Sequence, residues 1–141
     1  MTQENKQKVR KLVEVLEGQG NYALAAALLS ADYRGHLPFG EVDGRDKYLS
    51  TTKMLRTAFP DMDVRLTQLV AEDDMVAIRL VVSGTHLGEF QGLPPTGREI
   101  QMNGAAFFRL AGGKIVEGWS FADLFALIQQ LGAIAIQENV S

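Results

Sequence analysis

A chain of 141 residues provides room for one domain, which at this length buries roughly two-thirds of the surface that its unfolded chain exposes. Hydrophobic residues make up 46% and charged residues 22% of the chain, proportions that exclude a disordered or fibrous protein. A net charge of -3 excludes a strongly basic surface for nucleic acid or membrane. The lack of cysteine excludes a disulfide framework and a thiolate nucleophile. We therefore expect one cytoplasmic domain over residues 1–141, with no nucleic-acid or membrane partner.

Helical spacing of apolar residues dominates the N-terminal part of the chain and indicates three helices. The first ends at a pair of glycines, and the second follows Asn21, a good capping residue, over residues 22–30. Glycines and a proline between residues 35 and 44 then break the chain, and Pro60 ends the third helix. The apolar faces of the first and third helices consist of Val9, Leu12, Val13 and Leu16 and of Tyr48, Leu49, Thr52, Leu55 and Phe59, respectively.

From Asp63 onward the apolar period changes from helical spacing to alternation, which indicates strands. We predict four strands: from residue 63 to an acidic turn at 72–74, over 75–84, over 98–110 and from 114 to about 120. A last, short helix has Leu124, Leu127, Ile128 and Leu131 on its apolar face. This order predicts an α+β fold in which three N-terminal helices pack on one face of a strongly bent antiparallel sheet that encloses a pocket.

Alternation along the predicted strands assigns residues to the two faces of the sheet. The inner face of the third strand is small and apolar, and it consists of Met102, Gly104, Ala106 and Phe108. Such a strip enlarges a pocket and supplies no hydrogen-bond donor. Arg79, Arg109 and Phe107 share the outer face, a mixed apolar and basic surface that is typical of a dimer contact, with ordinary solvent exposure as the alternative. We expect a homodimer.

The connection between the second and third predicted strands is unusually long for a hairpin. Residues 85–97 include three glycines and two prolines. Because long loops in compact domains are often functional, we interpret this one as a candidate lid over the pocket. His86, at its start, is expected to bond the loop backbone.

Six stretches of the sequence carry a family resemblance. They are residues 36–38 (HLP), 59–61 (FPD), 84–98 (GTHLGEFQGLPPTGR), 113–119 (GKIVEGW), Asp123 and 129–132 (QQLG). Together they resemble the SnoaL-like polyketide cyclases over nearly the whole chain. The resemblance implies the cone-shaped α+β barrel of the nuclear transport factor superfamily, usually a homodimer, and chemistry that needs no cofactor.

Asp123 is the candidate catalytic residue, because it matches the position of the general acid/base carboxylate in the cyclases that the chain resembles. If the last strand continues past Ser120, then Trp119, Phe121 and Asp123 point the same way, and the carboxyl group lies among aromatic side chains. Desolvation there raises its pKa toward neutrality, where a carboxyl group accepts and donates protons efficiently. The alternative is that Asp123 only caps the helix that begins at Leu124.

Five further residues are candidate contacts for an apolar or aromatic ligand. They are His36, Trp119, His86, Phe108 and Phe39. The two histidines do not have a metal-binding spacing, so we expect no metal. Many cyclases of the family carry a histidine where this chain has Ala106, which leaves the cyclisation chemistry open.

Two functions remain open at this stage. The first is a cofactor-free cyclase that performs intramolecular aldol-type chemistry on a carbonyl-rich apolar substrate through Asp123. A hydratase, isomerase or hydroxylase that uses the same aspartate belongs to the same class of hypothesis. The second is a pocket protein that binds an apolar small molecule without transforming it, which the donor-free strip favours.

Overall fold

The computed structural model describes residues 2–18 and 20–133, so the predicted domain 1–141 extends beyond the described residues. The α-helices are α1 (Thr2–Leu12), α2 (Tyr22–Leu28), α3 (Arg45–Ala58) and α4 (Leu124–Gln130), and a π-helical segment, Val13–Gly18, continues α1. The strands are β1 (Leu29–Leu37), β2 (Gly40–Asp43), β3 (Asp63–Glu72), β4 (Met75–Thr85), β5 (Glu99–Ala111) and β6 (Lys114–Ala122). No helix in these ranges is both long and apolar enough to cross a membrane.

The N-terminal helices form where the apolar spacing predicts them, except that α2 ends at Leu28 and residues 29 and 30 belong to β1 instead of the predicted helix. Val9 and Leu12 of α1 are almost fully buried, as is Leu16 in the π-helical segment that follows. Asn21 caps α2 as expected, since its side chain accepts a hydrogen bond of 3.2 Å from the backbone N of Leu24. Burying one face of each helix against the sheet is what stabilises segments too short to be helical alone.

Residues 29–37 form a strand that the sequence analysis did not predict. Leu29 takes extended backbone angles at the end of α2, and its side chain and that of Tyr33 are buried in the core. The register of this strand on β6 shifts between Leu29 and Arg34. Because the irregularity interrupts the alternation, the strand depends on its pairing with β6 and β2 and does not show in the periodicity.

The six described strands form one sheet in the order β2-β1-β6-β5-β4-β3. β3 to β6 make the predicted antiparallel meander, whereas β1 runs parallel to β6 and carries β2 at the edge. The sheet is curled and does not close, and the helices cover its concave face. The predicted α+β fold is confirmed, with six strands where four were expected.

The pairing of β5 with β6 fixes which side chains face the core. Phe108 and Ala106 of β5 are buried and lie opposite Gly118 and Ser120 of β6. Phe107, between the two buried residues, is 45% exposed. Over residues 102–110 and 118–122, even-numbered residues such as Ala106 therefore lie on the concave face of the sheet, and odd-numbered residues such as Phe107 lie on the convex face.

Candidate functional site

A deep apolar cavity lies between the concave face of the sheet and the helices. Its empty space is about 1180 Å³, counting the part of the mouth that is open to solvent. The strip predicted from the sequence forms part of its wall: Met102, Gly104, Ala106 and Phe108. Because Gly104 and Ala106 have almost no side chain, they leave the space that a small-molecule site requires.

Aromatic side chains form the part of the wall next to the long loop. The ring of Phe90 packs edge-on against Phe59 at 5.5 Å and against Phe39 at 6.3 Å, measured between ring centroids. All three line the cavity. Of the predicted ligand contacts, Phe39 and Phe108 are therefore in the wall, where their rings offer apolar faces to a flat ligand.

The cavity wall carries no charged side chain within residues 2–18 and 20–133. Its polar side chains are those of Tyr48, Thr51, Thr52 and Ser120. The Thr51 hydroxyl donates to the carbonyl oxygen of Lys47 at 2.9 Å. The Thr52 hydroxyl donates to that of Leu49 at 2.8 Å. A wall of this composition selects a ligand with a largely apolar body, because unpaired polar groups are costly to desolvate.

Asp123 lies at the rim of the cavity rather than inside it. Its neighbours Ala122 and Leu124 line the cavity, but Asp123 itself is exposed. Its Oδ1 accepts a hydrogen bond of 3.1 Å from the backbone N of Ala126, which makes Asp123 the N-cap of α4. The expectation of a buried carboxyl group among aromatic side chains is wrong, because β6 ends at Ala122 and the chain turns there into the helix.

Trp119 and Phe121 lie on the convex face of the sheet. The concave positions of this part of β6 are Gly118, Ser120 and Ala122, since these lie opposite Phe108, Ala106 and Gly104 of β5. Phe121 borders the cavity, where its carbonyl oxygen lies 3.2 Å from the position that a Cβ on Gly104 would take, but its side chain is 59% exposed. Trp119 does not line the cavity. The expectation that Trp119 faces the pocket is wrong, because adjacent strand residues point to opposite faces.

His36 is also on the convex face, and it bridges two carboxylates. Its Nδ1 lies 2.5 Å from a carboxylate oxygen of Glu41, and its Nε2 lies 2.7 Å from one of Glu117. The hydrogen bond with Glu117 is the largest cause of a raised His36 pKa, which desolvation opposes and Glu41 supports. The imidazole stacks on Trp119 with 5.3 Å between ring centroids. The expectation that His36 faces the pocket is therefore wrong.

Arg109 extends this network from β5. Its guanidinium carbon lies 5.3 Å from the Trp119 ring centroid, within the range of a cation–π interaction. The same group forms ion pairs with Glu117 at 3.4 Å and with Asp74 at 3.6 Å. We call the set of His36, Glu41, Glu117, Trp119 and Arg109 the convex-face network.

His86 organises the base of the long loop, as the sequence analysis expects. Its Nδ1 accepts a hydrogen bond of 3.2 Å from the backbone N of Thr96, and its backbone bonds to Gly97 and Arg98. The side chain is fully buried and does not line the cavity, although its ring packs against that of Phe59 at 5.5 Å. These bonds join the two ends of the loop that brings Phe90 into the cavity wall.

A curled sheet that closes an apolar cavity under covering helices defines a class of small α+β pocket proteins. Residues 6–131 of the chain match the family described as SnoaL-like polyketide cyclase. The chain belongs to this family, and the resemblance seen in its sequence is confirmed.

A curated relative and several solved structures are similar to this chain. Aklanonic acid methyl ester cyclase AcmA from Streptomyces galilaeus is 28% identical over 128 residues, which cover 88% of each chain. IdmH from Streptomyces antibioticus, a candidate polyketide cyclase, is 31% identical with a TM-score of 0.80 and covers 91% of this chain and 98% of its own. AclR from Streptomyces galilaeus, a candidate hydroxylase, is 27% identical with a TM-score of 0.86, covering 99% and 88%. The named activities, which are those of the relatives, differ within one fold.

Proposed function

We propose that this chain is a cofactor-free cyclase that binds a carbonyl-rich, otherwise apolar substrate in the cavity and closes a ring by aldol-type chemistry. The observation that supports it is the position of Asp123, a carboxylate at the rim between two residues that line the cavity. The apolar body of the substrate fills the cavity, and the reacting carbonyl groups lie at the mouth, within reach of Asp123.

The helix cap gives Asp123 a defined orientation for this role. Its Oδ1 is held by the backbone N of Ala126, whereas its Oδ2 forms no hydrogen bond with any other described residue. Oδ2 accepts a proton from the carbon next to a substrate carbonyl, and the resulting enolate carbon forms a bond to a second carbonyl carbon of the same molecule. The carboxylic acid then returns the proton to the new alkoxide, so the step balances without an oxidant or reductant.

A second function, ligand binding without chemistry, is favoured by a specific observation. The described cavity wall holds no carboxyl group, imidazole or amine, and Asp123 is exposed and already serves as a helix cap. General acid–base catalysis by a well-placed group typically raises the reaction rate about 10²–10⁴-fold, whereas a helix cap contributes only to the stability of the fold. The two functions therefore differ in what the carboxylate does.

The variant Asp123→Asn separates these two functions. Asn caps helices about as well as Asp, so D123N keeps the fold and the cavity but cannot exchange a proton. If the chain is a cyclase, D123N lowers ring closure on a panel of polyketide esters, including aklanonic acid methyl ester, by roughly 10²-fold or more. The measurement is product formation by mass spectrometry and chromatography.

Asp123→Ala is the matched control for this experiment. It removes the cap as well as the carboxylate, and we expect it to destabilise the fold by about 1 kcal/mol. The cyclase proposal is contradicted if D123N turns over substrate as fast as the wild type. It is also contradicted if the wild-type chain binds ligands but forms no product from any ester. Either result leaves ligand binding without chemistry as the function.

We also propose a homodimer formed through the convex face. The support is the exposure of Phe107 and Phe121, whose rings pack edge-on at 6.4 Å next to the convex-face network. Two large aromatic side chains exposed beside arginine have the composition of an interface core. The expected cytoplasmic location stays a prediction.

A further inference from the structure

Ser120 is a polar residue on the concave face of β6, near the C-terminal end of the strand. It lies opposite Ala106 of β5, and its concave neighbours along the strand are Gly118 and Ala122. All three of these residues are too small to cover a neighbouring side chain. The Ser120 side chain lines the cavity and is half-buried.

The hydroxyl of Ser120 is uncommitted, unlike the other hydroxyls of the wall. Thr51 and Thr52 donate to carbonyl oxygens of their own helix, and Tyr48 is engaged in contacts within the protein. Ser120 Oγ forms no hydrogen bond with any residue in 2–18 or 20–133. It is therefore available as both a donor and an acceptor to a molecule in the cavity.

An uncommitted hydroxyl in an apolar wall constrains what fills the cavity. When a ligand displaces water from Ser120, the hydroxyl is left unpaired unless the ligand supplies a partner, and an unpaired buried hydroxyl is unfavourable. A hydrocarbon leaves that requirement unmet, whereas an oxygen at the matching position meets it. The wall thus discriminates between two flat molecules that differ by one oxygen.

We infer that Ser120 is a positioning residue that donates a hydrogen bond from Oγ to a carbonyl oxygen in the middle of a flat, largely apolar substrate. This inference rests on the proposed function of the cavity as the substrate site. Asp123 comes three positions after Ser120, a distance of about 10 Å at ~3.3 Å per residue of extended chain. The substrate is therefore a flat molecule with one oxygen held at the wall and its reacting carbonyl groups about 10 Å away, at the rim.

A matched pair of ligands tests this inference without knowledge of the natural substrate. Fluorene and 9-fluorenone are flat tricyclic molecules that differ by one carbonyl oxygen, and both can be titrated into the full chain by equilibrium dialysis. We expect the wild type to bind 9-fluorenone more tightly than fluorene. In Ser120→Ala the affinity for 9-fluorenone falls roughly 3- to 10-fold while that for fluorene is unchanged, the range of one neutral hydrogen bond.

Two further variants complete the design. Ser50→Ala removes the same atoms from an exposed position on α3 outside the cavity wall, and it leaves both affinities unchanged. Ser120→Cys replaces the hydroxyl with a slightly larger group that is a weaker donor, and it gives the same selective loss if Ser120→Ala does not fold.

The outcomes separate the two proposals. The role of Ser120 is overturned if its folded variants bind 9-fluorenone as tightly as the wild type does, or if they lose affinity equally for both ligands. Either result leaves the cavity as a ligand site. Failure of the wild type to bind either ligand overturns the cavity as a ligand site, and with it the proposed function and this inference.

Discussion

The two faces of the sheet are built from the same strands and have opposite chemistry. On β5 and β6, residues such as Ala106 and Ser120 line a cavity whose described wall has no charged side chain. At alternate positions on the same two strands, Arg109 and Glu117 belong to a network of ion pairs and stacked rings. Because side chains alternate along a strand, one sequence encodes an apolar chamber and a charged surface at once.

The two faces of the sheet also differ in the kind of substitution that they tolerate. The concave face tolerates little change in volume, since its side chains are packed against the helices or leave the space that a ligand needs. The convex face tolerates changes in volume but depends on charge and protonation. Substitutions on the two faces should therefore fail in different ways.

The largest effect is expected at Gly118, on the concave face. A Cβ added there meets the Tyr33 hydroxyl and lies 3.0 Å from two ring carbons of Phe108. Both rings are almost fully buried. We expect Gly118→Ala to destabilise the fold by roughly 2–3 kcal/mol, measured as a lower urea midpoint with an unchanged denaturant slope.

Gly104→Ala is the matched control on the next strand. Its Cβ lies 3.1 Å from Leu80 Cδ1, a contact that a small shift of the Leu80 side chain relieves, and 3.2 Å from the carbonyl oxygen of Phe121, which has to move by only a few tenths of an ångström. We expect a loss of less than ~1 kcal/mol. Equal stability of G118A and the wild type would contradict close packing between this position and the two rings.

An intermediate effect is expected for Phe107 on the convex face. If this face forms the homodimer, Phe107→Asp introduces a charge at the centre of the interface and weakens association at least tenfold, about 1.4 kcal/mol. The measurement is the mass of the particle in solution across a dilution series. Phe125→Asp, at a phenylalanine of α4 that is 55% exposed, is the control and leaves association unchanged. A wild-type chain that is monomeric at every concentration contradicts the proposed dimer.

Much of the fold follows from the sequence because its periodic segments are long. The helical faces and the strands from Asp63 to Ser120 have clear periods, and the burial of Val76 and Ile78 agrees with the predicted parity. β1 does not follow from the sequence, because its register shift interrupts the alternation and its partner β6 lies about 80 residues away.

The candidate site is predictable only in part, for the same physical reason. The small strip at Gly104 and Ala106 was visible because it lies within a regular strand. Alternation along β6 also points to Ser120, but the predicted orientation of the strand turns Trp119 inward, and an error of one residue exchanges the two faces. The partners of His36 depend on the pairing of β1 with β6, which no local pattern reveals.

The smallest effect is a pH dependence set by His36. The groups that face it are Glu41 from β2 and Glu117 and Trp119 from β6, and Arg109 of β5 shares Glu117. Since the folded state raises the pKa of His36 above 6.5, its contribution to stability is fully present below pH 6.5 and is lost as the pH rises through the folded-state pKa.

His36→Gln removes this titration, so its stability deficit relative to the wild type is expected to be largest near pH 5.5 and to shrink toward pH 8.5. The measurement is urea unfolding at a series of pH values, followed by the fluorescence of Trp119, the chain's single tryptophan. A deficit of H36Q that is constant across the series would show that His36 acts on the convex face through stacking alone, without a charge.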